Sequence, residues 1–468
     1  MVPGMPTSGP DHLRHVPRSL RPGLALALVF ALACGDEDEP RVDGGSPPAD
    51  AGVPDDAGEV DAGEVDAGEM DAGEMDAGEE EIDPSEEPFA VLRGFEGSSA
   101  ARYDLVFIGD GYTVEQLNDV YDQHVDHVTA RIFTRRNNGA TEPFRALRDL
   151  FNVVKLYVPS PESGIDEGGE TRETALDGTE VCASLGGICF VDPAKVRTAV
   201  ASALEGSAFE PDLVIVTLNT AQPLEGVIED EDGKIAVYGG GPTDGDDFMT
   251  SERGLRQIAR AMADLALTTP GAGAYTGEEP SAANLSTDGT GAKWQAWLGF
   301  DAPHDEQAAV NAYEGGGGFG TGIFRPVSAS KLTGDYPAPF DPVAREAIFL
   351  AVFDTVGVFD EVASTSEASS LSNPTAIDAI PTSNALTTIE WRVDGEVTEI
   401  TDSRFGFTGW AMANGLAAGP HTVEARATVE TQFRFPNCRG CDFTVEDFVR
   451  QGSERLEATR SWNVVFTP

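Results

Sequence analysis

A long acidic repeat sets the first limit on what this chain can fold into. Within residues 35–88 a five-residue pattern, Asp-Ala-Gly-Glu followed by Val or Met, runs from Asp56 to Met75, and a variant copy starts at Asp76. Like charges at this density repel each other, glycine disfavours helix, and the Val/Met spacing fits neither helical nor strand periodicity. The pattern also lacks the ligand spacing of a calcium-binding loop. We therefore predict that residues 35–88 form an acidic disordered linker and that the packed core comes from the residues after it.

The N-terminus has the features of an export signal. Arginines within residues 14–21 precede an apolar stretch, residues 23–33, that ends at Cys34. This stretch is too short to cross a bilayer and is typical of the apolar region of a signal peptide. Residues 31–35 (ALACG) resemble a bacterial lipobox, in which the cysteine is acylated. We predict a lipoprotein-type signal peptide over residues 1–34 with lipidation at Cys34. An ordinary cleaved signal with a chance cysteine is the alternative.

The charge balance excludes some classes of partner. The chain carries 80 Asp and Glu against 31 Lys and Arg, a formal net charge of −49. Nucleic acid and an anionic membrane surface would repel such a protein electrostatically. We expect no nucleic-acid partner. The partners that we do expect are a membrane holding the lipid anchor and a protein or peptide ligand of the folded part, which we expect to be monomeric.

Residues 89–365 have the pattern of an α/β domain. Short apolar runs of the buried-strand type alternate with stretches of helical periodicity. The expected strands lie at residues 103–108, 151–158 and 213–218, and the expected helices begin near Thr113 or span residues 193–204, 251–267 and 342–356. Asp192 is placed to cap the second helix, and Pro193 suits its first position. Alternation of this kind indicates a sheet layered with helices.

The sequence texture changes after about Ser364. Short alternating runs at residues 388–393, 421–426 and 461–466 are separated by turn signals. This pattern is typical of a small β-sandwich, which we predict over residues 366–468.

Four cysteines lie in two close pairs. Cys182 is near Cys189, and Cys438 is near Cys441. In an exported protein each pair most simply forms a local disulfide. A four-thiolate zinc site is the alternative, but the pairs lie in different predicted domains and the first spacing is too wide for a zinc knuckle. We predict two disulfides and no cysteine-bound metal.

Several short motifs follow one another along the α/β domain. They begin with residues 104–113 (DLVFIGDGYT) and include residues 160–166 (SPESGID). The others lie at residues 142–144, 151–153, 189–192, 238–240, 284–286, 293–294, 313–315, 322–326 and 330–332. In this order they resemble the IgA-peptidase family of zinc metallopeptidases, over about residues 89–355. The resemblance implies a zincin-like metallopeptidase domain, and zinc is the cofactor of such enzymes.

The zinc-binding motif of that family is not intact in this chain. In such enzymes two histidines one helical turn apart bind zinc, and a glutamate between them polarises the attacking water. The corresponding positions here hold Arg256, Gln257 and Arg260, and Leu267 stands where the family has an acidic residue. A guanidinium offers no lone pair to a metal, and glutamine cannot take a proton from water. We therefore predict no intact catalytic residue, no metal and no cofactor.

These replacements leave three hypotheses about function. The preferred one is an exported cell-envelope lipoprotein that is a pseudopeptidase with a binding or scaffold role. The second is a divergent active metallopeptidase with non-standard ligands, and the third is a structural or adhesive surface protein. The candidate residues of a ligand cleft are Arg256, Arg260, Tyr238, Glu314 and Arg325. The alternative for the two helical arginines is that they pair with local acids such as Asp264 or face solvent.

Two further groups of polar residues have a functional and a structural interpretation. His124 and His127 have a spacing that could serve a metal, although a polar outer helix face is the favoured interpretation. Asp110, Asp166 and Glu314 lie in loops, where carboxylates could do acid–base work. We favour a structural role for them, namely that they hold these loops in shape.

Overall fold

The computed structural model describes residues 87–93, 99–133, 141–181, 188–241, 248–301, 309–334, 338–367, 370–436 and 443–468. All of them belong to one compact unit. Cys34, Cys182, Cys438 and Cys441, and residues 1–86, lie outside the described residues. The predictions of a signal peptide, lipidation and two disulfides therefore stay predictions, as does that of the linker.

Eight strands of the first part of the chain form one mixed sheet. They are β1 (Phe89–Arg93), β2 (Tyr103–Asp110), β3 (Phe151–Leu156), β4 (Thr179–Val181), β5 (Ile188–Phe190), β6 (Leu213–Leu218), β7 (Glu225–Asp230) and β8 (Gly233–Gly239). Across the sheet their order is β1-β3-β2-β6-β8-β7-β5-β4. The central strands β3, β2, β6 and β8 are parallel, whereas β7 runs antiparallel to β8. The three strands expected from the sequence are confirmed and lie side by side at the centre of the sheet.

Helices cover both faces of this sheet, which is why its central strands are apolar on both sides. The α-helices of the described residues are α1 (Val114–Gln116), α2 (Asp122–Phe133), α3 (Pro193–Ala203), α4 (Phe248–Ala263), α5 (Pro342–Val356) and α6 (Phe407–Ala413). A π-helical turn joins α1 to α2. Along β2, Leu105 and Phe107 face the core shared with α2, α4 and α5, while Val106 and Ile108 face a second core under α3. No helix within the described ranges is long and apolar enough to cross a membrane.

The observed ends of α3 and α4 can be compared with those expected from the sequence. The Asp192 carboxylate accepts a hydrogen bond from Ala194 N at 2.9 Å, as expected for the cap of α3. The expected helix over 251–267 is wrong at its C-terminal end, because α4 ends at Ala263. Asp264 has φ 51°, a left-handed conformation that terminates the helix.

The C-terminal part is rich in strands. Its elements and the preceding hairpin are β9 (Tyr313–Gly316), β10 (Phe319–Arg325), β11 (Leu371–Ser372), β12 (Ile377–Asp378), β13 (Thr387–Val393), β14 (Glu396–Val397), β15 (Arg404–Phe405), β16 (Gly419–Val429), β17 (Gln432–Pro436), β18 (Phe443–Asp447) and β19 (Glu457–Phe466). Five of them form a sheet of order β11-β19-β16-β13-β14. Its buried face packs through Trp391, which contacts Trp462 and Phe405. The fold is thus a mixed α/β part followed by a β-rich part.

The two parts share one apolar cluster. Phe349 of α5 has its ring centroid 5.8 Å from that of Phe433 and 6.4 Å from that of Phe448. The contacts place α5 between the first sheet and the C-terminal strands, so this helix supports both parts.

Candidate functional site

Arg256, Gln257 and Arg260 lie on one side of α4, above the antiparallel strand β7. Arg256 and Gln257 are buried, and Arg260, one turn further on, is partly exposed. In the sheet, Glu225 of β7 is the cross-strand partner of Tyr238 of β8. Cross-strand partners point to the same face of a sheet, so the Glu225 carboxylate reaches the underside of α4.

Glu225 contacts two of these three residues, Arg256 and Gln257. Its carboxylate forms an ion pair with Arg256, whose Nε donates to Oε2 at 3.2 Å. The same Oε2 accepts a hydrogen bond from Gln257 Nε2 at 2.6 Å. A carboxylate held by a guanidinium and an amide is a charge-assisted arrangement. Sequence analysis missed Glu225 because a single acidic residue on a strand carries no local motif.

Arg260 extends this group outward. One of its terminal nitrogens donates to Gln257 Oε1, so Gln257 connects Arg260 to Glu225. The pKa of Arg260 is lowered to about 10, chiefly because burial penalises its charge. Glu225 raises that pKa and Arg256 lowers it, so the two neighbours act in opposite senses. We name Glu225, Arg256, Gln257 and Arg260 the Arg260 group.

Asp264, suggested from the sequence as a local acid partner of Arg260, does not pair with it. Asp264 forms an ion pair with Lys234 of β8 instead. The reason is the end of α4: the left-handed Asp264 leaves the helical path, so it is not placed one turn above Arg260.

The other candidates of the cleft have structural partners. The Tyr238 hydroxyl is fully buried and accepts a hydrogen bond from Thr217 Oγ1 at 2.9 Å. Arg325 donates to the carbonyl oxygens of Glu314 and Gly315 at 2.8 and 2.6 Å. The Glu314 carboxylate accepts from Gly322 N at 3.2 Å, and it lies in the β9–β10 hairpin. Of the five candidates, Arg256 and Arg260 are therefore joined through the Arg260 group, and Tyr238 lies beside Glu225 in the sheet.

Leu267 follows the end of α4 in an extended segment. Its carbonyl oxygen accepts a hydrogen bond from Gly317 N at 3.0 Å, which ties this segment to the glycine-rich hairpin. The side chain is partly exposed and brings no acid or base to the site.

His124 is not on a polar outer helix face, so that interpretation is wrong for this residue, whereas His127 is partly exposed. It is buried, and its Nδ1 lies 2.6 Å from the Tyr112 hydroxyl. The backbone of Gly240 packs against the ring, since a Cβ there would lie 2.1 Å from Nδ1. His124 points inward because its side of α2 also carries the buried Val125 and Val128.

Asp110 is the centre of a buried loop anchor. Its carboxylate accepts hydrogen bonds from Leu176 N at 2.8 Å, Gly178 N at 2.7 Å and Thr174 Oγ1 at 3.0 Å. Burial raises the pKa of Asp110, and these donors oppose that rise. Asp166 similarly accepts from Arg172 N at 2.6 Å. Each carboxylate thus holds the backbone of a loop.

A second buried charge cluster lies at the other end of α4. The Glu252 carboxylate forms ion pairs with both Arg131 and Lys331. Glu252 and Lys331 are fully buried, and burial lowers the pKa of Lys331 well below its usual range. These residues are 121 and 79 positions from Glu252 in the chain, so no local sequence pattern could reveal the cluster.

A cavity of about 720 Å³ lies beside the last turn of α4. Its floor includes Met262 and Leu350, and its charged rim is paired internally, as in the ion pair of Asp354 with Arg455. Arg256 and Arg260 do not line it, so it is separate from the Arg260 group.

Metal-ligating side chains and thiols are the remaining groups that could carry chemistry. Among the residues that the structure describes, no group of three or more His, Cys, Asp or Glu side chains could hold a metal ion. The Cys189 thiol is buried and free, and burial raises its pKa. Its predicted disulfide partner, Cys182, lies outside the described residues.

Comparisons with known proteins add no relative. No protein-family model matches the chain, and no curated protein matches it either. The arrangement of the Arg260 group is therefore the observation on which a function has to be argued.

Proposed function

We propose that this chain is an exported, lipid-anchored protein of the bacterial cell envelope that acts by binding, on a metallopeptidase-like domain without zinc chemistry. The IgA-peptidase resemblance gives the domain its proposed zincin-like type. A lipid anchor at Cys34 and an acidic linker would hold that domain away from the membrane. The binding role falls to the cleft in which such enzymes hold zinc.

The ion pair between Glu225 and Arg256 carries this proposal. It occupies the side of α4 where the resembling enzymes present two histidines and a glutamate. A guanidinium repels a metal cation, and the Glu225 carboxylate is already engaged by Arg256 and Gln257. The chemistry of these residues therefore favours holding an anion over activating water.

A structural or adhesive role is the second candidate, and one observation favours it. Arg256 is buried in its ion pair, as expected of a cleft that has been filled. Arg260 favours the binding role, because it is less buried than Arg256 and contacts Gln257 rather than a carboxylate.

Zinc retention tests the proposal. The purified full chain is exposed to zinc, desalted and analysed by elemental mass spectrometry, with a zinc metallopeptidase as the positive control. We expect less than about a tenth of an equivalent of zinc, because the arginines of the site cannot bind the metal. A structural zinc site would bind tightly enough to survive desalting, so its presence would be detected. About one equivalent of retained zinc, together with chelator-sensitive peptidase activity, would instead support the divergent metallopeptidase.

Lipidation is tested separately. Metabolic labelling with a fatty-acid analogue should mark the wild-type chain and leave Cys34→Ala unmarked. Equal labelling of both chains would place the anchor elsewhere, and no labelling of either would favour the ordinary cleaved signal.

A further inference from the structure

The side of the first sheet that carries α4 is open beyond that helix. Ile188 of β5 lies beside Glu225 of β7, and the two strands are parallel. Phe190, two residues further along β5, therefore lies beside Val227 on the same side of the sheet. Val181 of β4 is the cross-strand partner of Ile188 and shares that side. Phe190 and Val181 are 45% and 42% exposed, so two large apolar side chains lie uncovered at this edge.

Two arginines of α4 border the open side. Arg253 precedes Gln257 by four residues and Arg260 follows it by three, so the three share one face of the helix. Gln257 contacts Glu225, which shows that this face is directed toward β7. Both arginines are partly exposed, and neither forms an ion pair within the described ranges. We call Val181, Phe190, Val227, Arg253 and Arg260 the Phe190 surface.

Local charge decides what this surface can hold. The chain as a whole is strongly acidic, but exposed charges are largely screened beyond about 8 Å at physiological salt. On this side of β7 the acid beyond Val227 is Glu229, whose cross-strand partner is Lys234. The two α4 arginines without a carboxylate partner therefore leave the surface locally positive. Its occupant should carry carboxylates next to apolar side chains.

We propose that the Phe190 surface is the docking site of the chain's own acidic repeat, residues 56–75. Each unit of the repeat places Asp and Glu three residues apart and follows the Glu with Val or Met. One segment thus supplies both the carboxylates and the apolar side chains that the surface calls for. The inference goes beyond the proposed function and does not depend on it, since it uses only charges and exposed side chains of this chain.

The spacing of the charges supports this occupant. In the polyproline II conformation, which unpacked chains commonly adopt, three residues make one turn with a rise of about 3.1 Å each. The Asp and Glu of one unit then lie on the same side, about 9 Å apart. Arg253 and Arg260 are separated by about 10.5 Å along the axis of α4. The carboxylates come near both positive charges without a hydrogen bond to Arg260, and the Val or Met that follows packs on Phe190.

The repeat can reach the surface. It is joined to β1 by residues 76–88, which span up to about 45 Å when extended. β1 and β5 are six strand spacings apart in the sheet, about 29 Å at about 4.8 Å each. A segment tethered at this range has an effective concentration in the millimolar range, so even weak docking is populated within one chain. Docking covers the open side of β4 and β5 and shortens the spacer between Cys34 and Phe89.

Photo-cross-linking of the purified full chain tests the docking. Phe190→p-benzoylphenylalanine keeps an aromatic side chain at the surface and cross-links whatever lies against it. At low micromolar protein concentration we expect cross-links to residues 56–75 of the same chain, identified by mass spectrometry of the digested monomer. The same photoreactive residue at Val397, which is exposed on the C-terminal sheet, is the control position. It should give at least about fivefold less of that product.

Charge variants assign the interaction. Replacing the Asp and Glu of residues 56–75 by Asn and Gln leaves the folded part unchanged and should lower the cross-link yield about fivefold. Arg253→Gln should lower it about two- to threefold, whereas Arg404→Gln, an exposed arginine of the C-terminal part, should not change it. Raising the salt from about 0.05 to 0.5 M should act in the same direction as the charge variants. Thermal unfolding checks that Arg253→Gln is folded.

Four results would overturn the inference. They are no cross-link from position 190, cross-links only to other parts of the chain, cross-links mainly between two chains, and an unchanged yield with the neutral repeat. The third result would make a second copy the occupant of the surface. Zinc retention and fatty-acid labelling do not depend on the repeat, so a failure here leaves the proposed function standing, and the reverse also holds.

Discussion

Replacing Glu225 by Gln removes the single carboxylate on which the Arg260 group depends. The variant keeps the size and shape of the side chain, so its effect is that of lost charge. The Arg256 ion pair disappears, and Gln257 loses a charged acceptor for its 2.6 Å hydrogen bond. The pKa of Arg260 should fall below its value of about 10, because Glu225 is the neighbour that raises it.

The expected cost follows from burial. Removing one partner of a buried ion pair costs about 3–5 kcal/mol, because the other charge stays behind without compensation. The Glu225 side chain is 16% exposed and the Arg256 side chain 8%, so water reaches the pair only in part. We therefore expect a loss near the lower end of the range, about 3 kcal/mol of unfolding free energy for Glu225→Gln.

Urea unfolding followed by tryptophan fluorescence measures this loss. Glu457→Gln is the matched control, because the Arg426–Glu457 pair is about half exposed on both sides and should contribute less than about 1 kcal/mol. Adding Arg256→Gln to Glu225→Gln should recover part of the loss, because the buried guanidinium that then faces a neutral amide is removed as well. A Glu225→Gln variant as stable as Glu457→Gln would refute the assignment of Glu225 as the centre of the site.

Three further perturbations test other parts of the structure. Asp110→Asn should lose about 2 kcal/mol and speed proteolysis within residues 160–178, since one amide oxygen cannot accept the hydrogen bonds of a carboxylate; unchanged proteolysis would contradict this anchor. Gly240→Ala should cost about 2–3 kcal/mol in urea unfolding, because its Cβ would meet the His124 ring, whereas Gly409→Ala meets open space in α6 and should be neutral or slightly stabilising. The pKa of His421 is raised mainly by its hydrogen bond to Asp394. Its stabilising contribution, below about 1 kcal/mol, should therefore be complete under about pH 6.5 and be lost as the pH rises through the higher folded-state pKa. A constant difference between wild type and His421→Gln across that range would contradict it.

The sequence was sufficient where a signal is local. The strand over 213–218 and the helix over 342–356 were predicted with the bounds that the structure gives, since buried apolar runs and an N-terminal proline are local features. The end of α4 was not, because apolar residues continue past Ala263 while the backbone turns at Asp264. Periodicity cannot detect a single left-handed residue that ends a helix.

Three of the four residues of the Arg260 group were identified from the sequence, and the fourth, Glu225, was not. The spacing of Arg256 and Arg260 placed them one helical turn apart, and the structure agrees. The sequence could not predict that Glu225 is the counterion of Arg256, because this pairing depends on which strand lies next to β8. Glu225 comes into place only through the antiparallel β7–β8 hairpin and the packing of α4 on it, and it is 31 residues from Arg256 in the chain.

Arg256, Gln257 and Arg260 are chemically interdependent. Each arginine brings a positive charge to this side of the helix, and Glu225 forms an ion pair with only one of them. A glutamate between the arginines would place a second carboxylate beside Glu225, with the repulsion of two like charges. Glutamine avoids that repulsion, because its amide donates to Glu225 and its oxygen accepts from Arg260. The result is one buried ion pair and a second guanidinium that is connected to Glu225 only through Gln257.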